Sequence, residues 1–151
     1  MEDPKMFAPK NILVPTDFSE YSDRALKQAV DIASEHNSKI YLLHVVDEIM
    51  QCAVDYCLDA SVVDQVEKQS MAFAEEKLKK DVKMISASKD LQIISDVKKG
   101  DTYETILKEQ KDKGIDLIVI ASHGKKGLIK HLGSVADKVL REAKCPVLLV
   151  K

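Results

Sequence analysis

The sequence predicts an α/β fold: a single-domain, three-layer sandwich whose five-stranded, mostly parallel sheet carries helices on both faces. Three observations predict it. Apolar runs of strand length alternate along the chain with segments of helical apolar spacing. Several of the runs are almost continuously apolar, as suits strands covered on both sides. The chain of 151 residues, 45% hydrophobic and 32% charged, has the size and composition of one compact domain. That domain is expected to span residues 1–151, with its core from about residue 11 to 151.

Asn11-Ile-Leu-Val-Pro15, an apolar run closed by proline, reads as the first strand. Ser19 or Ser22 caps the next helix, in which Ala25, Leu26, Ala29, Val30, Ile32 and Ala33 recur near helical spacing until His36-Asn37-Ser38 breaks it. Residues 39–46 form the second strand. A long helix is expected from Val62 to Met84, with Val63, Val66, Met71, Phe73, Ala74 and Leu78 as its apolar positions. Leu91 to Val97 is the third strand, ended by Lys98-Lys99-Gly100-Asp101, and Tyr103 to Lys113 a helix stopped at Gly114. Ile115 to Ala121 reads as the fourth strand, Ser134 to Lys144 as the last helix and Pro146 to Val150 as the fifth strand. Ligands of such sheets sit at the carboxyl ends of the strands, near a topological switch point. Those ends are Pro15-Thr16-Asp17, His44-Val45-Val46-Asp47, Lys99-Gly100-Asp101 and Ala121-Ser122-His123-Gly124.

Charge narrows the partners. Lys and Arg number 23 against 25 Asp and Glu, and the net charge of −2 argues against nucleic acid or an acidic membrane surface. The balance is uneven: residues 122–151 carry +5 and the remainder −7, so a local anion site is expected towards the C-terminal end. No apolar run reaches the roughly 18 to 20 residues of a membrane span, and MEDPKMFAPK lacks the apolar stretch of a secretory signal, so a cytoplasmic location is expected. Cys52, Cys57 and Cys145 show no C-x-x-C spacing, which favours reduced thiols over disulfides or zinc.

Between the fourth strand and the last helix, Gly124, Gly127 and Gly133 fall where the backbone turns, with Lys125, Lys126 and Lys130 around them. Glycine lets an anion approach main-chain N–H groups, and a helix N-terminus adds unpaired donors and partial positive charge. Ser134 adds a hydroxyl at that helix start. The arrangement suits two or three phosphates, although the same residues also serve as an ordinary connection and helix cap. It is neither a Walker A loop nor a G-x-G-x-x-G fingerprint.

Val14-Pro15-Thr16-Asp17-Phe18-Ser19, Leu42-Leu43-His44-Val45-Val46-Asp47, Ala121-Ser122-His123-Gly124, Gly133-Ser134-Val135 and residues 145–150 together resemble the universal stress protein family. The resemblance runs from about Asn11 to Lys151 and implies a Rossmann-like fold of the adenine-nucleotide alpha-hydrolase type. It implies a stress-response binding or signalling module that takes ATP or another adenine nucleotide, with Mg or Mn entering through the phosphates. The ligand would lie among Pro15, Thr16, Asp17, Val45, Ala121, Ser122, His123, Gly124, Gly127, Gly133, Ser134 and Val135. In this picture Asp17 accepts from the ribose, Val45 offers backbone polar groups and an apolar wall to adenine, and Gly124, Gly133, Ser134 and Val135 meet the phosphates. Two features depart from the nucleotide-binding branch: Ala121 replaces the first loop glycine, and eight rather than nine residues separate Gly124 from Gly133. The resemblance further implies a homodimer joined through the C-terminal strand. The alternatives are a dimer that acts through protein contacts without nucleotide, and a slow ATPase.

No catalytic set is assembled in the sequence, and no dedicated metal site. His123 and His131 are read first as loop residues and His44 as a satisfied histidine in an apolar strand; Ser122-His123 is not read as a nucleophile pair, because neighbours in a turn need not point together.

Overall fold

In the computed structural model, which describes residues 6–47, 59–124 and 131–151, the order is β1 (Asn11–Pro15), α1 (Glu20–His36), β2 (Lys39–Val46), α2 (Ala60–Ser88), β3 (Ile93–Lys99), α3 (Thr102–Asp112), β4 (Leu117–Ala121), α4 (Ser134–Glu142) and β5 (Val147–Val150). The five strands are all parallel, in the order β3-β2-β1-β4-β5. β1 therefore stands between strands whose connections leave in opposite directions, and the switch point falls between β1 and β4.

Each face of the sheet buries its own cluster. Ile12, Val14, Ile40, Leu42, Leu117 and Val119 meet Ala25, Ala29 and Ala33 of α1 and Ala74 and Leu78 of α2. Their neighbours in the strands, Leu13, Leu43, Ile118 and Ile120, meet Ile106 of α3 and Ala136 and Val139 of α4. Successive side chains of a strand point to opposite faces, so nearly continuous apolar runs fill two cores at once. Among the described residues no helix is long and apolar enough to cross a membrane.

Several boundaries differ from the sequence expectation. β3 begins at Ile93 and runs through Lys98 and Lys99, because its register with β2 continues to Val46↔Lys99. As an edge strand it tolerates charge on its outer side, which apolar patterning does not reveal. α2 extends from Ala60 to Ser88, started by Asp59, whose side chain accepts from Ser61 N. Of its six expected apolar positions only Ala74 and Leu78 are buried, while Val66 is 43% and Phe73 60% exposed. β4 and β5 begin two residues and one residue later than expected, and α4 ends at Glu142. Ser19, not Ser22, is the N-cap of α1; Asn37 closes that helix in the left-handed conformation at φ 54°.

Candidate functional site

The turn after β1 is built by short side chains. Asp17 Oδ1 accepts from the Ser19 N–H at 3.0 Å and from the Ser19 hydroxyl, and Ser19 Oγ accepts from Ser22 N. Thr16 Oγ1 accepts from Phe18 N at 3.1 Å and donates to Ser22 Oγ at 3.1 Å. Between them Phe18 takes φ 63°, a strained conformation for a bulky residue. Its ring lies against His44, with centroids 4.5 Å apart, and under Lys77 Nζ at 4.9 Å. Asp17 is thus not itself the cap: it steadies the capping serine. Ser19 and Phe18 help to shape this turn although neither was among the expected ligand residues, and the Asp17-x-Ser19 spacing is the signal of an Asx turn; His44 is the satisfied strand histidine expected, bonded to Thr16 O.

The same turn ends the β1–β2 ladder. Its last rungs are the Pro15↔Leu43 pairing and Thr16 N donating to Leu43 O at 2.8 Å. One rung further, a parallel ladder would take Val45 N–H to Thr16 O and Phe18 N–H to Val45 O. Neither bond is made among the described residues: Thr16 O accepts instead from His44 Nδ1 at 2.7 Å, and Phe18 N donates to Thr16 Oγ1. Backbone direction alternates along β2, with Val46 O turned to β3, where it accepts from Gly100 N at 3.0 Å. Val45 N–H and C=O therefore face the gap that β1 vacates, while its side chain packs on the α3–α4 side of the sheet.

Opposite stands the loop after β4. Ser122 N donates to Val150 O and Gly133 N to Ser122 O, both at 2.8 Å, which ties the start of α4 to the end of β4. α4 opens on Gly133 with no side-chain cap, whereas Ser19, Asp59 and Asp101 cap the other three helices. A Cβ on Gly133 would stand 3.2 Å from Ser122 O, and one on Gly124 2.8 Å from Asp17 Oδ2. A side chain at position 124 would have to push the Asp17 carboxylate aside, a constraint distinct from phosphate access. Ala121 has no positive φ, and its methyl packs into the α1-side cluster, so it does not intrude on the loop.

Ser122 and His123, which as neighbours in a turn need not point together, do so here: Ser122 Oγ and His123 Nδ1 are 2.8 Å apart. Ser122 is buried, which keeps it from acting as an open nucleophile. His123 lies 5.7 Å from the Tyr21 ring, and its buried Nε2 has no hydrogen-bond partner among the described residues. Pro15 and Thr16 carry the β1 turn, Ser134 and Val135 the first turn of α4, and His131 is exposed. Gly127, Lys125, Lys126, Lys130, Cys52 and Cys57 lie outside the described residues. Cys145 is a free thiol, and burial, with the charge of Asp116 behind it, pushes it above its ordinary range. At the β2–β3 rim Thr102 Oγ1 donates to Asp47 at 3.0 Å, and Lys99 pairs with Glu67 at 2.8 Å. Among the described residues no group of three or more His, Cys, Asp or Glu side chains gathers as metal ligands.

An open doubly wound sheet, with a carboxylate, main-chain groups released from the ladder and a helix start gathered at its switch point, places this chain in the class of α/β proteins that bind ligands at the carboxyl ends of their strands. Comparison narrows the class. The family model described as "Universal stress protein family" matches residues 9–151, and the chain belongs to that family. It is 34% identical to universal stress protein A homolog 2 of Coxiella burnetii, over 94% of each chain. It superposes on the structure of MJ0577 of Methanocaldococcus jannaschii with TM-score 0.84 and 31% identity, covering 96% of this chain and 97% of that one. UspA from Lactobacillus plantarum gives TM-score 0.83 at 26% identity, with 94% and 97% covered. Two more distant structures of the fold are universal stress proteins in complex with cAMP (22% identity, TM-score 0.68, 96% and 98% covered) and, from Archaeoglobus fulgidus, with dAMP (19%, TM-score 0.62, 96% and 100% covered).

Proposed function

We propose that the gap between the β1 and β4 turns binds an adenine nucleotide, ATP foremost, and that the protein works as a cytoplasmic stress-response binding module of one domain. The bare N-terminus of α4 is the observation that carries this reading. Its first amides, at Ser134 and Val135, have no side-chain cap among the described residues, and Gly133 brings no side chain across their approach. Such an end favours phosphate through unpaired donors and the helix dipole. Val45 supplies a donor and an acceptor to the N1 and N6 edge of adenine, and Asp17 lies between the two turns to receive the ribose. Adenylates held by distant members of the fold support the choice of ligand. A divalent cation, Mg or Mn, would enter on the phosphate oxygens, as Mg²⁺ commonly does.

The same reading extends to assembly. β5 is a sheet edge whose four residues, Val147-Leu-Leu-Val150, carry no charge; Leu148 within it is exposed, as is Leu140 of α4. The opposite edge, β3, presents Asp96, Lys98 and Lys99, which discourage strand addition. A two-fold dimer through β5 would cover the uncharged edge.

Titration calorimetry with Mg·ATP, combined with thermal unfolding, tests the ligand. Ligand at about 100 times its dissociation constant stabilises the folded state by roughly 2.7 kcal/mol, a rise of about 5–10 °C for a domain of this size. Ser134→Asp places a carboxylate where the helix dipole welcomes it and phosphate does not, so the fold should hold while affinity falls at least about tenfold. Gly133→Val is a poorer probe, since its Cβ presses on Ser122 O at 3.2 Å. Absence of heat with ATP, ADP and AMP would overturn the nucleotide reading and leave a module that acts through protein contacts.

A further inference from the structure

We infer that His44 is a positioning residue that keeps the Val45 main chain available to the nucleobase; this rests on the adenine-nucleotide reading above. A carbonyl oxygen can only accept, so the 2.7 Å contact to Thr16 O fixes the hydrogen on His44 Nδ1. Register makes that carbonyl the one that would otherwise take Val45 N–H. His44 holds it away from the ladder, while Thr16 Oγ1 holds away Phe18 N, the second missing rung. The left-handed Phe18 lets the chain leave the sheet at this point, and its ring braces the imidazole at 4.5 Å. One hydrogen bond from a side chain on the α1 side of β2 thereby sets whether the strand ends in a closed rung or in an open donor–acceptor pair.

The chemistry that such a pair recognises is specific. Adenine offers an acceptor at N1 and a donor at N6, matching N–H and C=O; hypoxanthine offers the reverse at N1 and O6. His44 should therefore control preference for ATP over ITP, with little effect on the ribose and phosphate contacts the two share.

Amide hydrogen exchange and calorimetry test this separately. In the ligand-free protein the Val45 amide should exchange at least about tenfold faster than those of Leu42 and Leu43, which lie inside the ladder. His44→Leu should let Thr16 O return to Val45, slowing Val45 exchange and reducing the ATP-to-ITP affinity ratio about tenfold, the worth of one hydrogen bond. His44→Asn, whose side-chain amide nitrogen replaces Nδ1–H, should restore both. A Val45 amide as protected in the wild type as Leu43, or an unchanged ATP-to-ITP ratio in a folded His44→Leu variant, would overturn the role of His44. If the wild type binds no adenine nucleotide, the functional reading fails; rapid exchange at Val45 would then remain as a property of the fold.

Discussion

Gly124→Ala probes the closest approach in the site. Gly124 does not adopt a positive φ, so alanine brings no backbone strain; what it brings is a methyl carbon 2.8 Å from Asp17 Oδ2, a distance that must open. The carboxylate is anchored through its other oxygen by the N–H and hydroxyl of Ser19, and moving it loosens those bonds. A hydrogen bond to a charged group is worth about 1.5–3 kcal/mol, and loss of one sets the expected cost. The melting temperature should fall by roughly 3–12 °C. In an Asp17→Ala background the obstruction is gone, and Gly124→Ala should be neutral or stabilise by about 0.4–1 kcal/mol through the unfolded chain. Urea unfolding of the four proteins gives the coupling directly, expected at about 2 kcal/mol or more. Additivity within about 0.5 kcal/mol would refute the claim that Gly124 is glycine because Asp17 needs its space.

Other consequences can be checked alongside. Glu109 is buried and paired with Lys98, so Lys98→Met should destabilise by about 1–3 kcal/mol, less than for a fully buried pair because a third of the lysine side chain is exposed. The hydrogen bond to Glu109 pushes the Lys98 ammonium above 10.5, so the pair's contribution is complete below that pH and is lost as pH rises through the raised value; wild type and variant should differ fully at pH 8, and their stability curves should converge as alkali deprotonates the lysine. Burial, then the charge of Asp23, pushes the Asp81 carboxyl above 3.8 against the pull of Lys77. Asp81→Asn should raise the melting temperature at pH 7, and the gain should vanish as acid protonates the wild-type side chain. Leu148→Lys should turn a sedimenting dimer into a monomer with unchanged circular dichroism; a wild type that sediments as a monomer would refute the β5 interface.

The element order was legible because each connection carries local chemistry: Pro15 ends a strand, Asn37 ends a helix, and Gly114 follows one. The outer limits of β3 and α2 were not, because both depend on neighbours. Lys98 and Lys99 belong to a strand only through pairing with β2, and Phe73 is exposed because the sheet lies under Ala74 and Leu78 instead. Asp17, Gly124 and Gly133 were marked by residue type, yet the contact that crowds Gly124 joins positions 107 residues apart. His44 looked like core for the same reason: its Nδ1–H partner is a carbonyl 28 residues earlier.

By itself the sequence determined the alternation of strands and helices, the two-sided burial of the central strands and the glycine-rich connection before the last helix. Those properties follow from periodicity and from what single residues allow the backbone to do. Tertiary structure alone decided which hydrogen bonds the ladder gives up beside Val45, which helix start is left without a cap and which oxygen abuts Gly124. Each depends on atoms brought together across the sheet, and a backbone group's partner is fixed by register and space rather than by its own residue type.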